Sequence, residues 1–142
     1  MVQPYVIEDE PSATDVRALE NGLYRYNVEQ TGRDDGRWLA IFVRDVDGLI
    51  TAGVSGWTWA GWLKVSNLWV RHDLRRKGMG SDLLKAAETE AVARGCTRAT
   101  LDTYSFQAPA FYQRLGYRIA GAVDDMPPGH KHYTLVKDLR RA

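Results

Sequence analysis

The 142-residue chain has a single cysteine, Cys96, so no internal disulfide can form, and a reducing compartment suits it. No stretch approaches the ~18 consecutive apolar residues of a membrane-spanning helix, and none is expected. Met1-Val2-Gln3-Pro4 has no basic region followed by an apolar stretch, so no signal peptide is expected and the default location is cytoplasmic. Neither charge sign predominates. Nineteen Lys and Arg against 18 Asp and Glu leave a formal net charge of +1. Global charge therefore gives no argument for a nucleic-acid, membrane or polyanionic partner. Repeats and low-complexity tracts are also lacking. What is present suits a packed core: 44% of residues are hydrophobic and 26% charged, over a length that fits one domain, residues 1–142.

Tyr5-Val6-Ile7 reads as a short first strand. Ser12 and Asp15 have capping-box spacing at a helix start, and Val16, Leu19, Leu23 and Tyr26 then recur at three or four residues. Asn21-Gly22 weakens that helix and offers a place to split it in two. Trp38 to Val46 is a nearly continuous apolar run of strand length. Asp47-Gly48 is a hairpin signal, Leu49 to Trp59 the return strand, Ala60-Gly61 a second turn and Trp62 to Val70 a third strand. After a polar, basic segment, Met79, Leu83, Leu84, Ala87 and Ala91 follow a helical period that ends at Gly95. Ala99 to Tyr104 reads as a strand, Ala108 to Leu115 as a short helix, and Tyr117 to Val123 and His130 to Leu139 as the last strands. The order β-α-βββ-α-β-α-ββ implies an α+β fold with one parallel pair in an otherwise antiparallel sheet.

Arg75-Arg76-Lys77-Gly78-Met79-Gly80-Ser81 joins a strand to a helix N-terminus. Glycine permits close backbone approach, the first helical N–H groups lack partners, and the dipole and three cations favour an anion. Walker A order is absent. A dinucleotide fingerprint would need a third glycine where Leu83 stands. A plain basic loop capping a helix is the bland alternative, and a nucleic-acid patch on Arg71 to Lys77 a further one.

The pattern Arg75-x-x-Gly78-x-Gly80 resembles the signature of the general N-acetyltransferase (GNAT) superfamily. Two further segments extend the likeness: Leu68-Trp69-Val70-Arg71 before the turn, and Ala108-Pro109-Ala110-Phe111-Tyr112-Gln113-Arg114-Leu115-Gly116-Tyr117 after it. The resemblance spans about residues 38 to 138. It implies a GNAT fold, mostly antiparallel with a central splayed parallel pair, in a small single-domain member of the bacterial type. It also implies acetyl-CoA as co-substrate, with no metal, bound by Leu68, Trp69, Val70, Arg75, Arg76, Lys77, Gly78, Met79, Gly80, Ser81, Phe111 and Tyr112. An amine would attack the thioester directly, with no acyl-enzyme.

On the same resemblance Tyr112 is the general acid that protonates the leaving thiolate. Packing beside Phe111 is its alternative role. The N–H of Trp69 or Val70 would polarise the carbonyl. Many relatives carry a glutamate base just before the Leu-aromatic-Val strand, and Asn67 stands there instead. Asp102, in mid-strand on one face with Thr100 and Tyr104, is the candidate substitute. A structural carboxylate, or a water chain serving as base, are the other readings.

For the acceptor, Trp57, Trp59, Asn67, Tyr104, Tyr24 and Asn27 are candidate lining residues, with Tyr26 and Trp62 beside them. Core packing is the competing explanation for the tryptophans. Asp124 and Asp125 would attract a cation or simply be solvated. His130 and His132 lack a third ligand and are read as non-metal, and Cys96 as packing. The expected partner is a small-molecule amine, with protein or peptide N-termini as a second acceptor class. A CoA-binding regulatory module without turnover is the rival reading. No nucleic-acid or membrane partner is expected. An exposed strand edge or aromatic surface would support a homodimer.

Overall fold

The structure, a computed structural model, describes residues 5–141, so the reading of Met1 to Pro4 lies outside the described residues. The chain falls into two compact units, Met1–Asp34 and Asp35–Ala142. In the first, helix α1 runs unbroken over Ala13–Thr31. Ser12 caps it by accepting the Asp15 N–H at 3.1 Å, and Gly32 ends it in the left-handed conformation. Asn21-Gly22 therefore does not split the helix. One internal glycine costs about 1 kcal/mol against alanine, which capping at both ends offsets. The expected strand at Tyr5-Val6-Ile7 is not formed. The three residues are exposed and are not among the strands of the sheet.

The second unit is a six-stranded sheet in the order β1-β2-β3-β4-β6-β5. Strands β1 (Arg37–Arg44), β2 (Ile50–Trp59) and β3 (Trp62–Val70) form the expected meander. Helix α2 (Met79–Ala93) crosses over to β4 (Arg98–Tyr104), which pairs parallel with β3. Helix α3 (Pro109–Arg114) leads to β5 (Arg118–Asp124) and β6 (Lys131–Asp138), which are antiparallel, and β6 fills the place beside β4. Among the described residues no helix is long and apolar enough to cross a membrane.

The turns follow local chemistry. Ala60 and Gly61 both have positive φ (54° and 82°), as a two-residue primed turn requires. The Asp47-Gly48 signal builds a longer loop than a two-residue hairpin. The Asp45 carboxylate accepts the Asp47 and Leu49 N–H groups, and pairing resumes only at Arg44 and Ile50.

Helix α2 covers one face of the sheet with Leu83, Leu84, Ala87 and Ala91, against Leu39, Val54, Leu63, Val65, Ala99 and Leu101. Each fully buried leucine contributes roughly 2–3 kcal/mol of transfer free energy. Arg94 fastens the helix end. Its Nε bonds Glu90 at 2.7 Å, and another guanidinium nitrogen reaches the Trp38 carbonyl and Thr58 Oγ1, each at 3.1 Å.

One irregularity shapes everything downstream. Ser55 pairs with Asn67 but Gly56 pairs with Val65, so Ser66 is an extra residue bulged out of β3. A Cβ on Gly56 would run into the Lys64 carbonyl oxygen across the ladder. Gly56→Ala is therefore expected to lower stability by at least about 2 kcal/mol, because backbone rather than a side-chain tip must move. Chemical denaturation of the two proteins measures it.

Candidate functional site

The bulge is followed directly by a fork. Strands β3 and β4 are in register only from Trp62 with Arg98 to Val65 with Leu101. Beyond that, β3 stays with β2 while Asp102 to Tyr104 of β4 stay with β6. The direction of the free backbone groups follows from one bond. The Arg71 N–H donates to the Thr51 carbonyl at 2.8 Å. Antiparallel pairing alternates, so Trp69 turns its N–H toward β2, while Leu68 and Val70 turn theirs into the fork. Of Trp69 and Val70, only Val70 thus has its N–H turned into the fork.

Side chains alternate in the opposite sense. Leu68 and Val70 pack against the core under α2, whereas Asn67 and Trp69 are exposed. Across the fork, Asp102 and Tyr104 alternate with buried Leu101 and Thr103, which puts them on the same face as Asn67 and Trp69.

At the far end of β3 the chain makes a short 3-10 turn, His72–Leu74, and enters α2. Arg71 and Asp73 neutralise each other in a two-bond pair at 2.6 and 3.0 Å. That hydrogen bond holds the Asp73 carboxyl below its usual range. The Arg75 guanidinium donates to the Val70 carbonyl at 2.7 Å, tying the loop to the strand. Arg75, Arg76 and Lys77 are exposed. Gly78 caps α2 with φ 83° and no side-chain bond, so the N–H groups of Met79, Gly80 and Ser81 head a helix with no internal partner for them.

Three segments far apart in sequence converge here. An added Cβ on Gly80 would lie 3.6 Å from Phe111 Cζ and 3.9 Å from Val70 Cγ2, so the phosphate-type loop, the diverging strand and α3 meet at one point. Phe111 stands edge-on to Tyr112 at 5.1 Å, and Tyr112 edge-on to Tyr117 at 6.0 Å. Burial raises the Tyr112 phenol above its ordinary 10.0, so it stays protonated through neutral pH.

A buried network lies beneath Tyr112. Its carbonyl accepts the Tyr117 N–H at 3.0 Å. The Tyr117 hydroxyl donates to Glu88 Oε2 at 2.7 Å, and Lys137 Nζ donates to Glu88 Oε1 at 2.8 Å. Burial first, then the Glu88 charge, pushes the Tyr117 phenol far up. Sequence reading missed this group. The available signal was a glutamate at i+4 from Leu84, inside the apolar stripe of α2.

Asp102 is held at both oxygens. Lys64 Nζ lies 3.1 Å from Oδ2, and Thr134 Oγ1 donates to Oδ1 at 2.8 Å. Burial raises its pKa, but the Thr134 and Lys64 bonds and the nearby positive charge outweigh that and leave it below the usual carboxylate value. It is thus a weaker base than an ordinary aspartate, in the arrangement of a structural carboxylate. Asn67 Nδ2 donates to Ser55 Oγ at 3.3 Å.

The remaining candidates separate. Trp57, Trp59 and Trp62 are half-buried, with Arg98 over the Trp62 ring at 5.7 Å. Asp124 pairs with Lys131 and Asp125 accepts the Gly129 N–H, so the acidic loop is engaged in its own turn. His130 and His132 stand edge-on to Phe106 and Tyr104. Cys96 is buried, which raises its thiol pKa. Tyr24 and Asn27 belong to the first compact unit. There the Tyr24 hydroxyl donates to Asp34 at 2.9 Å and the Asn27 carbonyl accepts from Thr31.

Comparison with known proteins agrees with this geometry. A family model described as an acetyltransferase (GNAT) domain matches residues 37–119. An acetyltransferase of Agrobacterium fabrum is 35% identical over 133 residues, covering 94% of this chain and 97% of its own. Blasticidin-S acetyltransferase of Streptomyces morookaense is 43% identical over 93 residues, 65% of this chain and 68% of the relative. The crystal structure of a proposed acetyltransferase from Agrobacterium tumefaciens superposes with a TM-score of 0.83 at 34% identity, covering 96% of this chain and 99% of that one.

The Glu88 network supports a stability prediction. Lys137→Met leaves a buried carboxylate without its cation and is expected to cost about 3–5 kcal/mol. Adding Glu88→Gln should recover part of that loss. A double-mutant cycle in denaturant measures the coupling.

Proposed function

The chain belongs to the GNAT acetyltransferase family and is an acyltransferase, and from that premise we propose that it moves the acetyl group of acetyl-CoA to a primary amine on a small molecule. The carrying observation is the contact of Phe111, Gly80 and Val70. It supports a site in which a helix end suited to an anion, a strand edge without a β4 partner and the helix that carries Tyr112 meet. The blasticidin-S acetyltransferase relative supports a small-molecule acceptor.

Each group of the chain then has a task. The N–H groups of Met79, Gly80 and Ser81, with the cations of Arg75, Arg76 and Lys77, bind the pyrophosphate of CoA. The Leu68 and Val70 backbone groups receive the pantetheine arm as an added strand would be received. The Val70 N–H stabilises the negative charge that develops on the thioester oxygen. The amine nitrogen bonds the carbonyl carbon, the carbon–sulfur bond breaks, the Tyr112 hydroxyl gives its proton to the sulfur, and the proton that the nitrogen sheds on becoming an amide restores the phenol through solvent. Asn67 and Trp69 on one side of the fork, and Tyr104 on the other, flank the approach of the acceptor.

Release of free thiol from acetyl-CoA with a panel of amines tests the activity. Tight acetyl-CoA binding without release for any amine would turn the reading to a CoA-binding regulator. Tyr112→Phe is expected to lower kcat about 10²-fold while the acetyl-CoA Kd stays within a factor of about two. The raised Tyr112 pKa sets the sign of the pH effect. The active form is the protonated one, so loss of this acid should begin only above the ordinary phenol value of 10.0. A basic limb that enters kcat well below that pH, and disappears in Tyr112→Phe, would contradict the assignment.

A further inference from the structure

An amine acceptor is an ammonium ion at neutral pH and must lose a proton before it can attack. On the open face of the fork the obvious takers are spent. Asn67 is an amide bonded to Ser55. Asp102 is bonded by Lys64 and Thr134, and Lys64 is the cation of that pair. Glu88, on the other face, is bonded by Tyr117 and Lys137.

Of the imidazoles near this face, His130 precedes β6 and stands edge-on to Phe106 at 5.0 Å, while His132 lies within the ladder. In the β4–β6 ladder His132 is the partner of Tyr104, and Thr134 that of Asp102. Leu135 is buried and Tyr133 packs on the core, so alternation sends His132 and Thr134 to the open face with Asp102 and Tyr104. Its Nε2 lies 3.9 Å from Asp102 Oδ2, the same oxygen that Lys64 reaches at 3.1 Å. The Tyr104 ring stands edge-on to the imidazole at 5.1 Å and fixes its plane. The His132 side chain keeps 19% of its surface exposed, enough for proton exchange with solvent. Asp102 and Tyr104 face it from β4, and Lys64 lies behind Asp102 on β3. On β5 its partner is Val123, with Asp124 one step on already paired with Lys131.

We propose that His132 takes the proton the acceptor's ammonium sheds, and that Asp102 is the carboxylate that stabilises the resulting imidazolium. This rests on the N-acetyltransferase reading above. An N–H bond of the ammonium breaks and its electron pair stays on nitrogen. The proton bonds an imidazole nitrogen, directly or through one water, and leaves to solvent after transfer. Asp102 thereby acts as a positioning residue, a role its lowered basicity suits.

The test is kcat of the full chain against pH, at saturating acetyl-CoA and acceptor, for wild type, His132→Gln and Asp102→Asn. Each is measured with a strongly basic alkylamine and with a weakly basic amine already neutral at pH 7. With the alkylamine, wild-type kcat should rise with pH through an inflection and then level off. His132→Gln should abolish the inflection and lower kcat at pH 7 about 10- to 100-fold. Asp102→Asn should move the inflection to lower pH. With the weakly basic amine the His132→Gln loss should shrink to within about threefold, which a merely structural role would not produce. Equal losses with both amines, or an inflection that survives in His132→Gln, overturn the assignment while leaving the transferase reading intact. No turnover by the wild type with any amine overturns both.

Discussion

The whole arrangement depends on backbone hydrogen bonding that stops. Strands β3 and β4 share four register pairs and then part, because Ser66 is one residue too many for the ladder with β2. Buried backbone groups are almost always paired, so a strand that gives up a neighbour inside a sheet must find another partner for its donors. Here one carbonyl, that of Val70, is taken by Arg75, and the fork leaves the adjacent N–H groups turned toward the gap. A ligand that supplies an extended chain of amides completes the sheet. The fork is in this sense an unfinished ladder, and on the proposed reading the donor arm is what completes it.

What surrounds the fork divides by face. Beneath α2 lie apolar contacts and the Glu88 network, which fix Tyr112 through its neighbour Tyr117. On the open face lie exposed aromatics, an amide and the Lys64–Asp102 pair. The loop side offers main-chain N–H groups and cations suited to an anion, whereas the open face offers side chains. Hydrogen bonding of the donor arm to main chain constrains sequence little beyond the glycines. Recognition of an acceptor through side chains constrains it locally, which is why one half of the reaction reads from motifs and the other does not.

The same division explains how much was legible. The meander, the crossover helix and the order of the last strands follow from apolar periodicity and turn residues, and their ends fall within one or two residues of expectation. Tyr5-Val6-Ile7 misled, since three apolar residues satisfy a strand pattern without a partner to make it one. Asn21-Gly22 misled because glycine weakens a helix by an amount that good caps outweigh. The loop Arg75 to Ser81 and the Phe111-Tyr112 helix were visible because local geometry dictates their residues. Pairings between distant residues were not: Lys64 with Asp102, Tyr117 with Glu88, and Tyr104 with His132 are set by register across strands and helices, and no spacing in a single chain encodes them.

The bulge at Ser66 also divides β3 into two pieces of opposite phase. Leu63 and Val65 point inward before it, Leu68 and Val70 after it. The strand is a splice of two reading frames, held by a single uncounted residue. Removing Ser66 would not merely shorten it. It would make the ladder with β2 continuous, with Val65 inward, Asn67 outward and Leu68 inward, so that every side chain beyond keeps its face while the bulge that precedes the fork is lost. The extra residue thus supplies the bend and not the orientation, and each half of the strand keeps its own faces.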